Sequence, residues 1–152
     1  MGQLLETIKQ FFKEDNWSFT ESQADTGLSL RFAGKSGQWN CYARVREQEG
    51  QFIFYSYAPI DVPKAKYPPI IKYITRANFG LSIGDFEFNF LMGTIQFKTS
   101  IDVNGEESKL SFALIKHLVY GNVVTMDKYL PGLELVVKGK ATAEQAIAQI
   151  EG

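Results

Sequence analysis

Residues 83–103 read Ile-Gly-Asp-Phe-Glu-Phe-Asn-Phe-Leu-Met-Gly-Thr-Ile-Gln-Phe-Lys-Thr-Ser-Ile-Asp-Val. Phe86, Phe88 and Phe90 alternate with Asp85, Glu87 and Asn89. After a turn at Leu91-Met92-Gly93-Thr94, Ile95, Phe97, Thr99, Ile101 and Val103 alternate with Gln96, Lys98, Ser100 and Asp102. A period of two sends alternate side chains to opposite faces. The segment therefore predicts an antiparallel hairpin with one face buried and the other wet.

Upstream, the same period recurs. Leu28, Leu30 and Phe32 alternate with Ser29 and Arg31; Trp39, Cys41, Ala43 and Val45 with Asn40, Tyr42, Arg44 and Arg46; Phe52, Phe54, Ser56 and Ala58 with Ile53, Tyr55 and Tyr57. Turns at Gly34-Lys35-Ser36-Gly37, whose glycines are available for positive φ, and at Gln48-Glu49-Gly50 join these three strands into a meander. A short extended run, Trp17-Ser18-Phe19-Thr20, precedes them. Leu4, Ile8, Phe11 and Phe12 give an amphipathic first helix ending near Asp15-Asn16. Pro59, Pro63, Pro68 and Pro69 stop strand continuation. Pro68-Pro69 opens a helix carrying Ile70, Tyr73, Ile74 and Ala77 and closing at Asn78-Phe79-Gly80. A carboxy-terminal helical region starts after Asn104-Gly105-Glu106-Glu107, and Thr142-Ala143-Glu144-Gln145 is a capping box for a last short helix. The order α-β-β-β-β-α-β-β-α(α) predicts one α+β domain over residues 1–152, an antiparallel sheet of meander plus hairpin with helices on one face.

Composition narrows the class. At 152 residues the chain buries roughly 70% of its unfolded surface as one domain. Net charge is −1, with +2 in residues 1–76 and −3 in residues 77–152, too even to mark an acidic or basic partner. One cysteine, Cys41, excludes an internal disulfide. The first residues, MGQLLETIKQFFKED, lack the basic and apolar regions of a signal peptide, and Glu6 breaks a myristoylation pattern at Gly2. No apolar run approaches the ~20 residues that span a bilayer. The expectation is a cytoplasmic protein with no membrane partner.

Sites for chemistry are sparse. Cys41 and His117 are the only thiol and imidazole; the first alternates on the inward face and the second sits at the edge of a helix's polar arc, with no acid to orient it. Asp85 and Glu87 share the wet strand face, where Gln96 and Lys98 stand across the hairpin. One histidine and one cysteine cannot build a zinc site, and Gly80-Leu81-Ser82-Ile83-Gly84 has neither the lysine nor the spacing of a phosphate loop. No catalytic residue, metal or cofactor is expected, and the chain reads as a non-enzyme. Lys64, Lys66, Lys72 and Arg76 form a basic cluster with no acid between positions 62 and 78. They are the candidate anion site of an alternative reading, a regulator binding nucleic acid or an anionic small molecule through a basic helix. Nucleic acid is otherwise disfavoured by the charge balance.

Two surfaces stand out as candidates for a protein partner. On a helical wheel over residues 109–121, Leu110, Leu114, Leu118 and Gly121 form one stripe and Phe112, Ile115 and Val119 another. Together they cover about 200°, twice what a one-sided surface helix needs. The second stripe is either covered by the last helix or is an interface. Tyr42, Tyr55 and Tyr57 line the wet sheet face, where tyrosines pair across strands or meet a second chain.

The run from Trp17 through Gly37 and Trp39, then Asn78-Phe79-Gly80, Gly84-Asp85-Phe86-Glu87, Ile95 with Phe97, and Tyr129-Leu130-Pro131-Gly132-Leu133, resembles the YbjN-domain family over nearly the whole chain. The resemblance implies a type III secretion chaperone-like fold: small, bacterial, cytoplasmic and commonly homodimeric. Some members are described as sensory-transduction regulators, and the secretion chaperones bind unfolded effector segments; no residue role carries across. The resulting expectation is a protein of unknown function acting as a homodimeric, chaperone-like or regulatory protein-binding module, with a client or partner protein.

Overall fold

The computed structural model describes residues 2–152. In chain order it comprises α1 (Gln3–Glu14), β1 (Thr20–Glu21), β2 (Gly27–Ala33), β3 (Gln38–Arg46), β4 (Gln51–Tyr57), a 3-10 turn (Lys64–Lys66), α2 (Tyr67–Asn78), β5 (Asp85–Asn89), β6 (Thr94–Asp102), a second 3-10 turn (Glu107–Lys109), α3 (Phe112–Val137) and α4 (Ala143–Glu151). The strands form one antiparallel sheet in the order β1-β2-β3-β4-β6-β5. The β5–β6 hairpin is inserted through β6 against β4, after the chain has crossed the sheet as α2. The order and the one-sided layer are those expected from the sequence.

The inner face carries Leu28, Leu30, Trp39, Cys41, Ala43, Val45, Phe52, Phe54, Phe86, Ile95 and Phe97, all buried. Against it lie α1, whose Leu4, Leu5, Ile8, Phe11 and Phe12 are buried, and α3. Phe12 stacks on Phe54 with ring centroids 6.1 Å apart. The first turn of α1 has no cap of its own. The Glu47 carboxylate, from the turn after β3, accepts hydrogen bonds from the Leu4 and Leu5 N–H groups at 3.2 and 2.8 Å, placing negative charge at the helix's positive end.

Three local expectations change. Phe90 belongs to the turn and is 62% exposed, because β5 ends at Asn89; the alternation of Phe86, Phe88 and Phe90 becomes a gradient from buried to open. In the turn after β2, left-handed backbone is found at neither Gly34 nor Gly37. Gly34 is needed for another reason: a Cβ there would stand 2.6 Å from the Asp127 carboxylate.

The third change concerns α3. The helix starts at Phe112, capped by Ser111, and continues for 26 residues through Pro131. Its buried stripe is Ile115, Val119, Asn122, Val123, Met126, Leu130 and Leu133. Ile115 and Val119, read as an interface stripe, are fully buried. The cover is chiefly the sheet and not the last helix: the Thr99 hydroxyl on β6 donates to the Leu118 carbonyl at 3.0 Å, and the Asn122 amide donates to the Phe54 and Phe97 carbonyls at 2.9 and 3.0 Å. Phe112, at the rim, packs edge-on against Phe11 and remains 37% exposed. The Leu114 stripe is the more open of the two.

Candidate functional site

Among the described residues no helix lies over the outer face of the sheet. The register aligns Ser29, Tyr42, Tyr55, Lys98 and Asp85 in one row across five strands, and Arg44, Ile53 and Ser100 in the next. Tyr55 and Tyr57 follow each other on β4 with rings stacked at 6.0 Å and 10°. Tyr57 is exposed and Tyr42 and Tyr55 are half-buried, so the three candidate tyrosines share one continuous surface. Burial beside Tyr55 and Tyr42 raises the Tyr57 phenol above its ordinary value. Ile53 faces outward between Arg44 and Ser100 and is only 9% exposed, an apolar floor beneath longer neighbours. A shallow depression of about 320 Å³ surrounds it, bounded by Arg44, Tyr55, Lys98 and Asp102.

Polar groups at the β5–β6 end are engaged with each other. The Glu87 carboxylate accepts from the Gln96 amide at 2.7 Å and the Lys98 ammonium at 2.8 Å. Partial burial works to raise its pKa, but these bonds win and hold it below the ordinary value. Burial raises the neighbouring Asp85 carboxyl despite Lys98. This is a cross-strand network on a wet face.

The two edges of the sheet differ. On β5 the Asn78 side chain pairs with both backbone groups of Phe86, accepting from its N–H at 2.7 Å and donating to its carbonyl at 3.1 Å. The Tyr67 hydroxyl donates to the Phe90 carbonyl. These contacts occupy the edge on which another strand would have to pair. On β2 the Gly34–Gly37 backbone bond places the even residues in hydrogen-bonded register with β3. Arg31 and Ala33 therefore turn their backbone groups outward, beyond the two-residue β1, with no backbone partner among the described residues. A depression of about 440 Å³ adjoins them, walled by Trp17, Phe32 and Tyr120.

The remaining candidates are dispersed. Phe112, Ile115 and Val119 lie in the helical layer behind the sheet, so the six partner-binding candidates do not form one site. The basic cluster is also divided. Lys72 pairs with Glu144 at 2.5 Å and Arg76 with Glu151 at 3.2 Å, and both tie α2 to α4 across a groove of about 520 Å³. Lys64 and Lys66 sit apart in the 3-10 turn. Cys41 is buried beside Ser56, and burial pushes its thiol up to about 12, while His117 is exposed on α3; the two form no nucleophile–base pair. Among the described residues no cluster of His, Cys, Asp and Glu could hold a metal ion, and no helix is long and apolar enough to cross a membrane.

Sequence reasoning missed Asn122 and Asp127, which shape the helix, and read Asn78 as part of a helix end, missing its hold on the β5 edge. Asn122 carries the one legible signal, an amide on the apolar side of a helix.

No family model matches the chain, and no curated protein matches its sequence. Solved structures do match its shape. YbjN from E. coli, described as a candidate transcription regulator, superposes with a TM-score of 0.61 at 10% identity, covering 90% of each chain. The ExsC–ExsE complex matches with a TM-score of 0.58 at 9% identity, over 86% of this chain and 96% of that one. The chain has the YbjN-like, type III secretion chaperone-like α+β fold.

Proposed function

We propose that this protein is a non-enzymatic, homodimeric protein-binding module of the chaperone-like or regulatory kind, acting in the bacterial cytoplasm through the outer face of its sheet. The observation that carries the reading is the one-sided layer: every helix lies behind the sheet, leaving Tyr42, Tyr55, Tyr57 and the sunken Ile53 uncovered. Tyrosines give large, stiff contact area at low entropic cost, which suits a protein interface. The open β2 edge at Arg31 and Ala33 gives an extended segment main-chain partners beside Trp17 and Phe32. The match to a structure that is itself a two-protein complex, ExsC–ExsE, supports the same class of function. The anion-binding alternative is weakened by Glu144 and Glu151, which take up Lys72 and Arg76.

The test is native purification of the tagged chain beside a Tyr55→Ala/Tyr57→Ala variant, with bound polypeptides identified. Partners, or a second copy, recovered with the parent and lost from the folded variant support the reading. Equal recovery moves the binding face elsewhere.

A further inference from the structure

The β5–β6 turn presents Phe90, Leu91 and Met92 at 62, 94 and 71% exposure, three consecutive large apolar residues at the end of the hairpin. Such a run is a liability unless it has a partner. The turn is also held firmly. The Asn89 side-chain oxygen accepts from the Leu91 and Met92 N–H groups at 2.9 and 3.0 Å, and the Asn89 carbonyl accepts from Gly93 N–H at 2.8 Å. The Tyr67 hydroxyl donates to the Phe90 carbonyl at 2.9 Å, and the Val62 N–H to the Gly93 carbonyl at 2.9 Å. The tip therefore offers apolar side chains while half of the backbone polar groups of residues 90–92, the Phe90 carbonyl and the Leu91 and Met92 N–H groups, are satisfied from within. This lowers the cost of entering the membrane interface, where the remaining groups keep water and headgroups as partners.

Positive charge stands beside it. The segment bonded to the tip at both ends, Val62 and Tyr67, carries Lys64 and Lys66 between them. The Lys66 ammonium reaches the turn after α3, where a Cβ on Gly139 would meet it at 3.0 Å, and that turn brings the exposed Lys138 and Lys140. Against these four cations stand Asp61 on the same segment and Glu134, which pairs loosely with Lys138 at 3.9 Å. An apolar wedge flanked by lysines matches an anionic bilayer surface, where acyl chains take up the wedge and headgroups meet the lysines.

We infer that the Phe90-Leu91-Met92 tip is a peripheral anchor that inserts into the interface of an anionic membrane, with Lys64, Lys66, Lys138 and Lys140 held at the headgroups. The contact is peripheral and needs no spanning helix. It is independent of the sheet face and its protein partner.

The test is co-sedimentation of the full chain with phosphatidylcholine vesicles, with and without phosphatidylserine. Three proteins are compared: the parent, Leu91→Asp/Met92→Asp, and Lys64→Glu/Lys66→Glu. The parent is expected to sediment with phosphatidylserine vesicles at low salt and to be released as salt rises. The tip variant loses at least about tenfold in partitioning, from the burial of one large apolar side chain alone. It keeps the parent's circular dichroism and melting temperature, because its side chains are exposed. The lysine variant loses the preference for phosphatidylserine. A parent that stays in the supernatant, or a tip variant that sediments like the parent, overturns the inference. A tip variant that instead loses a bound polypeptide, with no vesicle binding by the parent, assigns the tip to a protein pocket and also overturns it.

Discussion

The Ser36 hydroxyl stands between two acceptors of Asp127, its carboxylate at 2.6 Å and its backbone carbonyl at 2.9 Å, the latter being the acceptor that Pro131, four residues further along α3, has no N–H to fill. The Asp127 carboxylate returns the contact, accepting from the Lys35 and Ser36 N–H groups at 2.9 and 2.8 Å. The β2–β3 turn thus brings a hydroxyl to the place where the proline leaves the helix ladder open, and the helix carboxylate caps the turn. Gly34 leaves room for this approach.

Asp127→Ala should cost about 1–3 kcal/mol in urea unfolding at neutral pH, the range for removing an acceptor, here one shared by the part-buried Ser36 N–H and hydroxyl and the exposed Lys35 N–H. Burial acts to raise the Asp127 pKa, but its hydrogen bonds prevail and leave it lowered. A carboxyl whose folded value is depressed stabilises above its unfolded pKa of about 3.9, and loses that contribution as pH falls through the folded value. The gap between parent and variant should therefore narrow below about pH 4. A gap independent of pH would show that the carboxylate's charge is irrelevant.

At Gly132 a Cβ would stand 2.1 Å from the Tyr73 hydroxyl, which donates to the Tyr129 carbonyl at 2.9 Å. Gly132→Ala should destabilise by about 1–3 kcal/mol through overpacking between α2 and α3. Tyr73→Phe alone should cost about 1 kcal/mol, yet little when added to Gly132→Ala, whose methyl has already displaced the hydroxyl. Additive losses in the double-mutant cycle would mean the two groups do not meet.

Asn122 is fully buried and spends its amide on the Phe54 and Phe97 carbonyls. Asn122→Asp puts a carboxylate against two carbonyl oxygens, and about 3 kcal/mol or more of stability should be lost at pH 7. Protonation removes the charge and restores a donor, so the loss should shrink in acid. Chemical unfolding at pH 7 and pH 5 measures the difference.

Asn78→Ala should open the β5 edge by freeing the Phe86 N–H and carbonyl. The expected cost is about 1 kcal/mol, since water can replace part of the pairing. A greater effect is expected on assembly: light scattering should rise with protein concentration in the variant and stay flat in the parent. A variant that remains as dispersed as the parent would mean the edge needs no guard.

The alternation around Phe97 and in the meander shows the sheet from sequence, because a period of two survives wherever one face is buried. The i, i+4 spacing of Leu4, Ile8 and Phe12 does the same for α1. The extent of α3 was hidden: the sequence marks where a carboxy-terminal helical region starts but gives it no end, and the helix runs on through Pro131 and Gly132, with Ser36 approaching on one side and Tyr73 on the other. The surface was only half legible. Tyr42, Tyr55 and Tyr57 are found together because strand parity places them, but Ile115 and Val119 face inward because the sheet covers one arc of α3. A helical wheel cannot say which arc of a wide stripe that will be. Lys72 and Arg76 looked free because their acidic partners, Glu144 and Glu151, lie more than seventy residues away on α4.

The outer sheet face as the binding surface, with the helical layer as core, is tested most directly by light scattering across a concentration series on three proteins: the parent, Tyr57→Arg and Ile115→Ala/Val119→Ala. A dimeric parent is expected, with Tyr57→Arg folded at an unchanged melting temperature but reduced to monomer. The core pair should lose at least about 2–5 kcal/mol of stability. A Tyr57→Arg protein that stays dimeric, or a core pair that dissociates while keeping the parent's melting temperature, would contradict the assignment of the two faces.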